Sequence, residues 1–283
     1  MPGGLPFLIR IALATERVRR TTERLHSLLW DEALWAWYGP QRLEAINQII
    51  WGRANSYLPG GTAFERGFFD WERRAVTEPP FPHAGRILLG GAGGGRELVQ
   101  LCRCGYDVVA FEPSKELCDG ARRAASCFSN SVVVRASYRD LVAAAQEHTG
   151  PLASHVLDTS FDAVLFGWAS FNYVFTEADR RDVLCATRTI APKAPLLLSF
   201  LMAQDAENGR LDRLRPGIRK ICKLLGAPSA RSHGGTFWLW PHAGFVHLVS
   251  QIELEAAAAS SGYRIRYFRQ PVDSCPHAML IPQ

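Results

Sequence analysis

Residues Arg86 to Pro113 read RILLGGAGGGRELVQLCRCGYDVVAFEP. A short apolar run, Ile87-Leu88-Leu89, meets a glycine cluster from Gly90 to Gly95. An amphipathic segment runs from Arg96 to Cys104, and a second apolar run, Val108 to Phe111, ends on an acid, Glu112. Strand, tight glycine turn, helix, strand and acid in that order form the first half of a nucleotide-binding α/β unit. Each part has a physical reason. Glycine lets the backbone turn sharply and lets a ligand approach where a Cβ would block it. Amides at the start of the next helix point at that ligand. A carboxylate at the tip of the second strand can accept both hydroxyls of a ribose. The unit therefore predicts an adenosine-like ligand.

The glycine spacing narrows the choice. A dinucleotide fingerprint requires G-x-G-x-x-G. Counted from Gly91 the sixth position is Arg96, and counted from Gly90 the third is Ala92, so both registers fail. A P-loop needs Gly-Lys-Ser/Thr, which does not occur here. The spacing that fits is G-x-G-x-G, from Gly91 through Gly93 to Gly95.

A G-x-G-x-G turn between a strand and a helix, with an acid closing the next strand, resembles the class I S-adenosylmethionine-dependent methyltransferases. The GAGGGRE form is similar to that of their small-molecule members. The resemblance covers about residues 86–283. It implies a Rossmann-like, seven-stranded, mostly parallel α/β sheet with helices on both faces, and S-adenosylmethionine as the cofactor. Gly91, Ala92, Gly93 and Gly95 would surround the amino-acid portion of the cofactor, and Glu112, followed by Pro113, would hold the ribose. Many members also carry an acid two residues before the first glycine, where this chain has Leu89.

At 283 residues the chain can bury one sizeable core with an accessory layer. Hydrophobic residues make up 47% and charged residues 21%, the ordinary mix of a soluble globular protein. No apolar run reaches bilayer-spanning length, so no membrane partner is expected. The apolar Leu5 to Leu13, interrupted by Arg10, reads as packing surface rather than a signal peptide. Seven cysteines without regular spacing argue against a disulfide framework, and no metal-ligand constellation stands out. A reducing cytoplasm is the expected setting. The net charge of +5 is modest, which argues against a nucleic-acid partner. A homodimer is compatible with the sequence.

Before the glycine unit, residues 1–80 read as a helical, aromatic-rich accessory layer, broken at Gly39-Pro40 and closed by Glu78-Pro79-Pro80-Phe81-Pro82. Around Trp37 and Tyr38 it is a candidate lid over the cofactor. Residues 81–283 read as the methyltransferase domain. Helix, strand and loop alternate after Glu112. Ser137 and Tyr138 follow the third strand, where the family's loop meets the adenine, and Asp140 reads equally as a helix cap. The fourth strand, Phe161 to Gly167, exits into Gly167-Trp168-Ala169-Ser170-Phe171 at the carboxyl edge of the sheet, where open α/β sheets bind ligands. After a fifth strand, an insertion at about residues 204–247 holds a basic helix, Leu211 to Leu225, and an aromatic cluster. A helix from Val246 to Ser261 and two antiparallel strands, Tyr263 to Arg269 and Ala278 to Pro282, complete the chain.

Methyl transfer needs alignment and, for a hydroxyl or protonated amine, a base. His247 and His242, beside the aromatic cluster, are the candidates, and His247 can equally cap the following helix. Tyr38, Trp168, Phe171, Trp238 and Trp240 are the candidate acceptor-binding residues. The expected activity is methylation of a small-molecule oxygen or nitrogen, of the kind found in secondary metabolism. The alternatives are a nucleic-acid methyltransferase, a non-catalytic cofactor-binding module and a nicotinamide oxidoreductase.

Overall fold

A computed structural model describes residues 7–202, 212–228, 236–240, 244–270 and 275–283. The glycine unit forms as read. Strand β1 (Arg86–Gly90) leads through the turn into a helix (Arg96–Arg103), then β2 (Asp107–Phe111). Further strands are β3 (Ser131–Val134), β4 (Ala163–Phe166), β5 (Leu196–Ser199), β6 (Thr236–Trp240), β7 (Gly244–Leu248), β8 (Tyr263–Arg269) and β9 (His277–Pro282). Seven of them make one sheet in the order β3-β2-β1-β4-β5-β9-β8, parallel from β3 to β5, with β9 antiparallel to both its neighbours.

Alternation along the strands divides the core in two. Leu88, Val109, Phe111, Val164, Phe166 and Leu198 pack on one face. Ile87, Leu89, Val108, Ala110, Leu165 and Leu197 pack on the other. Successive side chains of a strand point to opposite faces, and helices cover both faces of a parallel sheet. Continuous apolar runs such as Leu196–Leu198 are the result.

The long helix α1 (Phe7–Gly52) is broken at Gly39, whose φ of 65° leaves the helical region one residue before Pro40, where the break was expected. Helices α2 (Thr62–Glu65) and α3 (Asp70–Thr77) complete the N-terminal layer. The apolar start of α1 does not pack as expected: Phe7 and Leu8 are 72% and 76% exposed.

Another expectation, the helix from Val246, is corrected. Residues Gly244–Leu248 are strand β7, paired antiparallel with β6, and the next helix begins only at Gln251. Ser250 caps that helix: its hydroxyl accepts from the Glu253 amide while the Glu253 carboxylate accepts from the Ser250 amide. The β6–β7 hairpin and α1 form one layer. Trp35 and Leu43 of α1 pack with Phe237, Phe245 and Phe175. The Asn47 side chain pairs with the backbone of Phe245, donating at 2.7 Å and accepting at 2.9 Å. The basic helix, α4 (Arg215–Leu224), lies against α1 through ion pairs of Arg215 and Arg219 with the buried Glu32.

Candidate functional site

The carboxyl ends of β1, β2 and β4 open into a cleft of about 320 Å³, within the range of small-molecule sites. Its floor is the glycine turn, where Gly91, Ala92, Gly93 and Gly94 all line the cleft. Gly93 has φ +54°, a conformation L side chains rarely adopt, and a Cβ there would meet no atom within 4 Å. The backbone at that point is bare toward the cleft. Gly95 instead caps the helix that follows and faces Ala121, so it does not line the cleft.

Glu112, at the tip of β2, is buried and lines the cleft. One carboxylate oxygen accepts from the Gly93 amide at 2.9 Å and the other from the Ser114 amide at 2.9 Å. Burial pushes its pKa up to about 7, against the pull of those two amides. Each oxygen keeps a lone pair for a hydroxyl donor, so the residue suits a ribose diol. Pro113, Ser137 and Tyr138 also line the cleft. Ser137 caps the helix it precedes, and Asp140 completes the capping box, accepting from the Ser137 amide at 2.7 Å. Asp140 thus stands at the third position of that helix, as the second half of the capping box, and does not line the cleft. The Tyr138 hydroxyl meets the Ser170 hydroxyl at 2.6 Å, and its ring stands edge-on to Phe111 and Phe166.

The wall opposite is aromatic. Trp51 of α1 contacts Tyr57 and Tyr173, and Tyr57 stacks on Trp168 with ring centres 5.8 Å apart. All four line the cleft, with Glu44, Asn47 and Gln48 of α1. Arg139, on the helix that Ser137 caps, holds this wall through Glu44 at 2.9 Å, and burial raises the Glu44 pKa.

Other sequence candidates fall elsewhere. Tyr38 is exposed and does not line the cleft; the part of α1 that does comes one to three turns after the Gly39 break. Phe171 lies fully buried in the core against Phe166. Gly167 does not line the cleft; it lies where a Cβ would stand 2.5 Å from the Gly91 carbonyl, so it lets β4 and the turn approach. His247 is an internal residue of β7, wholly buried, edge-on to Phe237 and 3.4 Å from the Glu253 carboxylate. It was expected at a helix start, and the strand turns it inward. Strand β6 carries Trp238 and Trp240, opposite Val246 and Gly244, but their side chains, like all of His242, lie outside the described residues.

The sequence reading did not find Arg96 and Glu97. Arg96 reaches back from the turn to grip Glu72 of α3 through both carboxylate oxygens at 2.6 Å, Glu97 at 2.5 Å and the Gly67 carbonyl at 2.6 Å. Glu97 also accepts from the Trp168 amide at 3.1 Å. Both residues are buried and line the cleft. The cluster ties together the N-terminal layer, the glycine turn and the β4 exit.

Gly94 shows how tightly that layer sits. A Cβ on it would stand 2.0 Å from the Tyr57 carbonyl oxygen. Gly94→Ala is expected to cost about 1–3 kcal/mol in urea denaturation, the range for overpacking. Gly93→Ala, with open space but positive φ, is expected to cost only about 1 kcal/mol, the order of the left-handed penalty. Equal losses would contradict the packing described.

No family profile matches the sequence, and no curated protein matches it. By structure it resembles a SAM-dependent methyltransferase of Leishmania major, 16% identical, with a TM-score of 0.53 over 87% of this chain and 85% of that one. It also resembles the glycopeptide N-methyltransferase MtfA complexed with S-adenosylhomocysteine, 18% identical, with a TM-score of 0.50 over 75% and 88% of the two chains. A Rhodobacter sphaeroides protein proposed to be a zinc-dependent alcohol dehydrogenase matches at 13% identity and a TM-score of 0.52, over 85% and 98%. At such identities the likeness is one of fold, and the fold is that of the class I S-adenosylmethionine-dependent methyltransferases. The antiparallel β9 between β5 and β8 separates it from the all-parallel order of the doubly wound dinucleotide fold.

Proposed function

We propose that the protein binds S-adenosylmethionine in this cleft and transfers the methyl group to an oxygen or nitrogen of a small molecule. The observation that carries the reading is the buried Glu112 carboxylate, joined to the Gly93 amide of a G-x-G-x-G turn and facing the cleft. The bare backbone at Gly93 and the two free lone pairs of Glu112 fit an adenosyl ligand. On this reading Glu112 holds the ribose, and Gly91, Ala92 and Gly93 accommodate the amino-acid portion. Ser137 and Tyr138 meet the adenine.

When bound, the cofactor supplies an electrophilic methyl group on a sulfonium centre. The chain's own residues position, enclose and exclude water. Trp51, Tyr57, Trp168 and Tyr173 form the enclosing wall, and an aromatic face favours a sulfonium or methylammonium by about 0.5–2 kcal/mol. Among the described lining residues there is no histidine. Glu44, with its raised pKa, is the group we assign to take a proton from a protonated acceptor. In this reading residues 1–80 form the accessory layer and lid, with α1 covering the cleft after its break and not at Tyr38. The insertion at residues 204–247 braces that lid through the β6–β7 hairpin.

Calorimetric titration is expected to show S-adenosylhomocysteine binding and no heat with NAD. The reverse would overturn the reading. Labelled methyl groups are expected to appear in a metabolite extract and not in total RNA.

A further inference from the structure

The arm of α1 that precedes Gly39 carries a second feature, unrelated to the cleft. Phe7, Ile11, Ala14, Val18, Leu25 and Leu29 fall within a sector of about 60° on a helix of 3.6 residues per turn. All six are exposed, Val18 to 66%. Farther along, the same line carries Glu32, Ala33 and Ala36, and there Ile218 and Cys222 of α4, with Ala227 just after it, cover the line. From Phe7 to Leu29 the stripe is exposed. Twenty-three residues of helix with so much apolar surface in water gain little from intrinsic propensity alone, since most helical stability in proteins comes from packing an amphipathic face.

The charges identify the cover. Arg10 and Arg17 line one side of the stripe at about 70–90° from its centre, while Glu16 and Glu23 stand near the opposite pole, at about 150–170°. Arg19 pairs with both acids at 2.7 and 2.5 Å, on the side turned away from the stripe. Arg10 and Arg17 make no ion pair among the described residues, and both are exposed. Residues 7–29 hold five arginines and two acids. Helix α4 beside it repeats the composition: Leu214, Ile221, Leu224 and Leu225 are exposed among Arg213, Lys220 and Lys223, with no acid from Arg213 to Pro228.

An apolar stripe edged by arginine, with acids turned away, matches the interface of a bilayer bearing anionic lipid. The stripe enters the acyl boundary and the guanidinium groups meet the headgroups. A second copy of the helix matches less well, because antiparallel pairing along this stripe would set its flanking arginines against one another. We propose that the N-terminal arm of α1, with the exposed edge of α4, docks the protein on an anionic membrane surface. The expectation of no membrane partner rested on the lack of a spanning segment, and a helix lying in the interface needs none; indeed no helix among the described residues is long and apolar enough to cross a membrane.

The full chain is tested by co-sedimentation with vesicles of pure phosphatidylcholine and of phosphatidylcholine with phosphatidylserine. Binding is expected to the anionic vesicles and to fall as salt rises. Val18→Asp with Leu25→Asp, and separately Arg10→Glu with Arg17→Glu, are each expected to lower the partition coefficient on the order of tenfold or more. Both variants change exposed residues, and circular dichroism and S-adenosylhomocysteine titration check that they fold. Three results would each overturn the proposal: no binding to anionic vesicles, binding unchanged in both variants, or a dimer in light scattering that the apolar variant splits.

Discussion

Glu112→Ala is expected to weaken S-adenosylhomocysteine binding by about 100-fold, read by calorimetry, on the scale of about 1.5–3 kcal/mol for each hydrogen bond to a charged group. The carboxylate organises the site before any ligand arrives, since its oxygens accept from the Gly93 and Ser114 amides. Alanine removes the ribose acceptor and frees the turn at once. Glu112→Gln keeps the shape and one acceptor oxygen, so a smaller loss is expected. The pH dependence separates charge from shape. With its pKa raised to about 7, the unliganded residue contributes stability that is present below the ordinary carboxylate range and is lost as pH rises through 7. Hydroxyl donors favour the ionised form. Wild-type affinity should therefore rise from pH 6 to pH 8, by less than tenfold per unit, and the rise should be absent in Glu112→Gln. An alanine variant that binds as tightly as wild type would remove Glu112 from the cofactor site.

How much of this was legible in the sequence depended on how far apart the interacting residues lie in the chain. The turn, Glu112 and the order of strands through β5 rest on local patterns: apolar runs, glycines at fixed offsets and helix caps. They could be read directly. The Arg96 cluster could not, because Glu72 lies 24 residues back, beyond a proline-rich linker. In the sequence Arg96 served only to break a dinucleotide fingerprint. The hairpin β6–β7 was half hidden. Val246 to Ser261 reads as one apolar stretch, yet Ser250 and Glu253 form the Ser-x-x-Glu signature of a helix start, which would have placed the boundary and turned His247 into a strand residue. The Asn47–Phe245 pairing spans 198 residues and leaves no local trace. Local pattern also misplaced the lid. Trp37-Tyr38 and Trp51 look alike as aromatics on either side of the Gly39-Pro40 break, and only the direction the chain takes there decides which side meets the cleft.

Arg96→Met is expected to destabilise the protein by about 3–5 kcal/mol in urea denaturation, the cost of removing one partner from a buried ionic cluster. Arg96 is 5% exposed, Glu72 1% and Glu97 4%. Methionine can fill the volume, and it can keep contact with the Phe69 ring over which the guanidinium now sits at 4.3 Å. It cannot neutralise two buried carboxylates or satisfy the Gly67 carbonyl. Glu72 would keep only the Phe69 amide and Glu97 only the Trp168 amide. Adding Glu72→Gln should restore part of the loss, since a neutral amide is cheaper to bury than an unpaired carboxylate. The pair then serves as a double-mutant cycle. Function should suffer beyond stability, because Glu97 fixes the Trp168 amide and Trp168 stacks on Tyr57 in the cleft wall. In Arg96→Met the S-adenosylhomocysteine affinity should therefore drop at temperatures where the fold is fully populated, and Glu72→Gln alone should shift stability more than affinity. Losses that are additive in the double variant would show that the three side chains do not act as one buried unit.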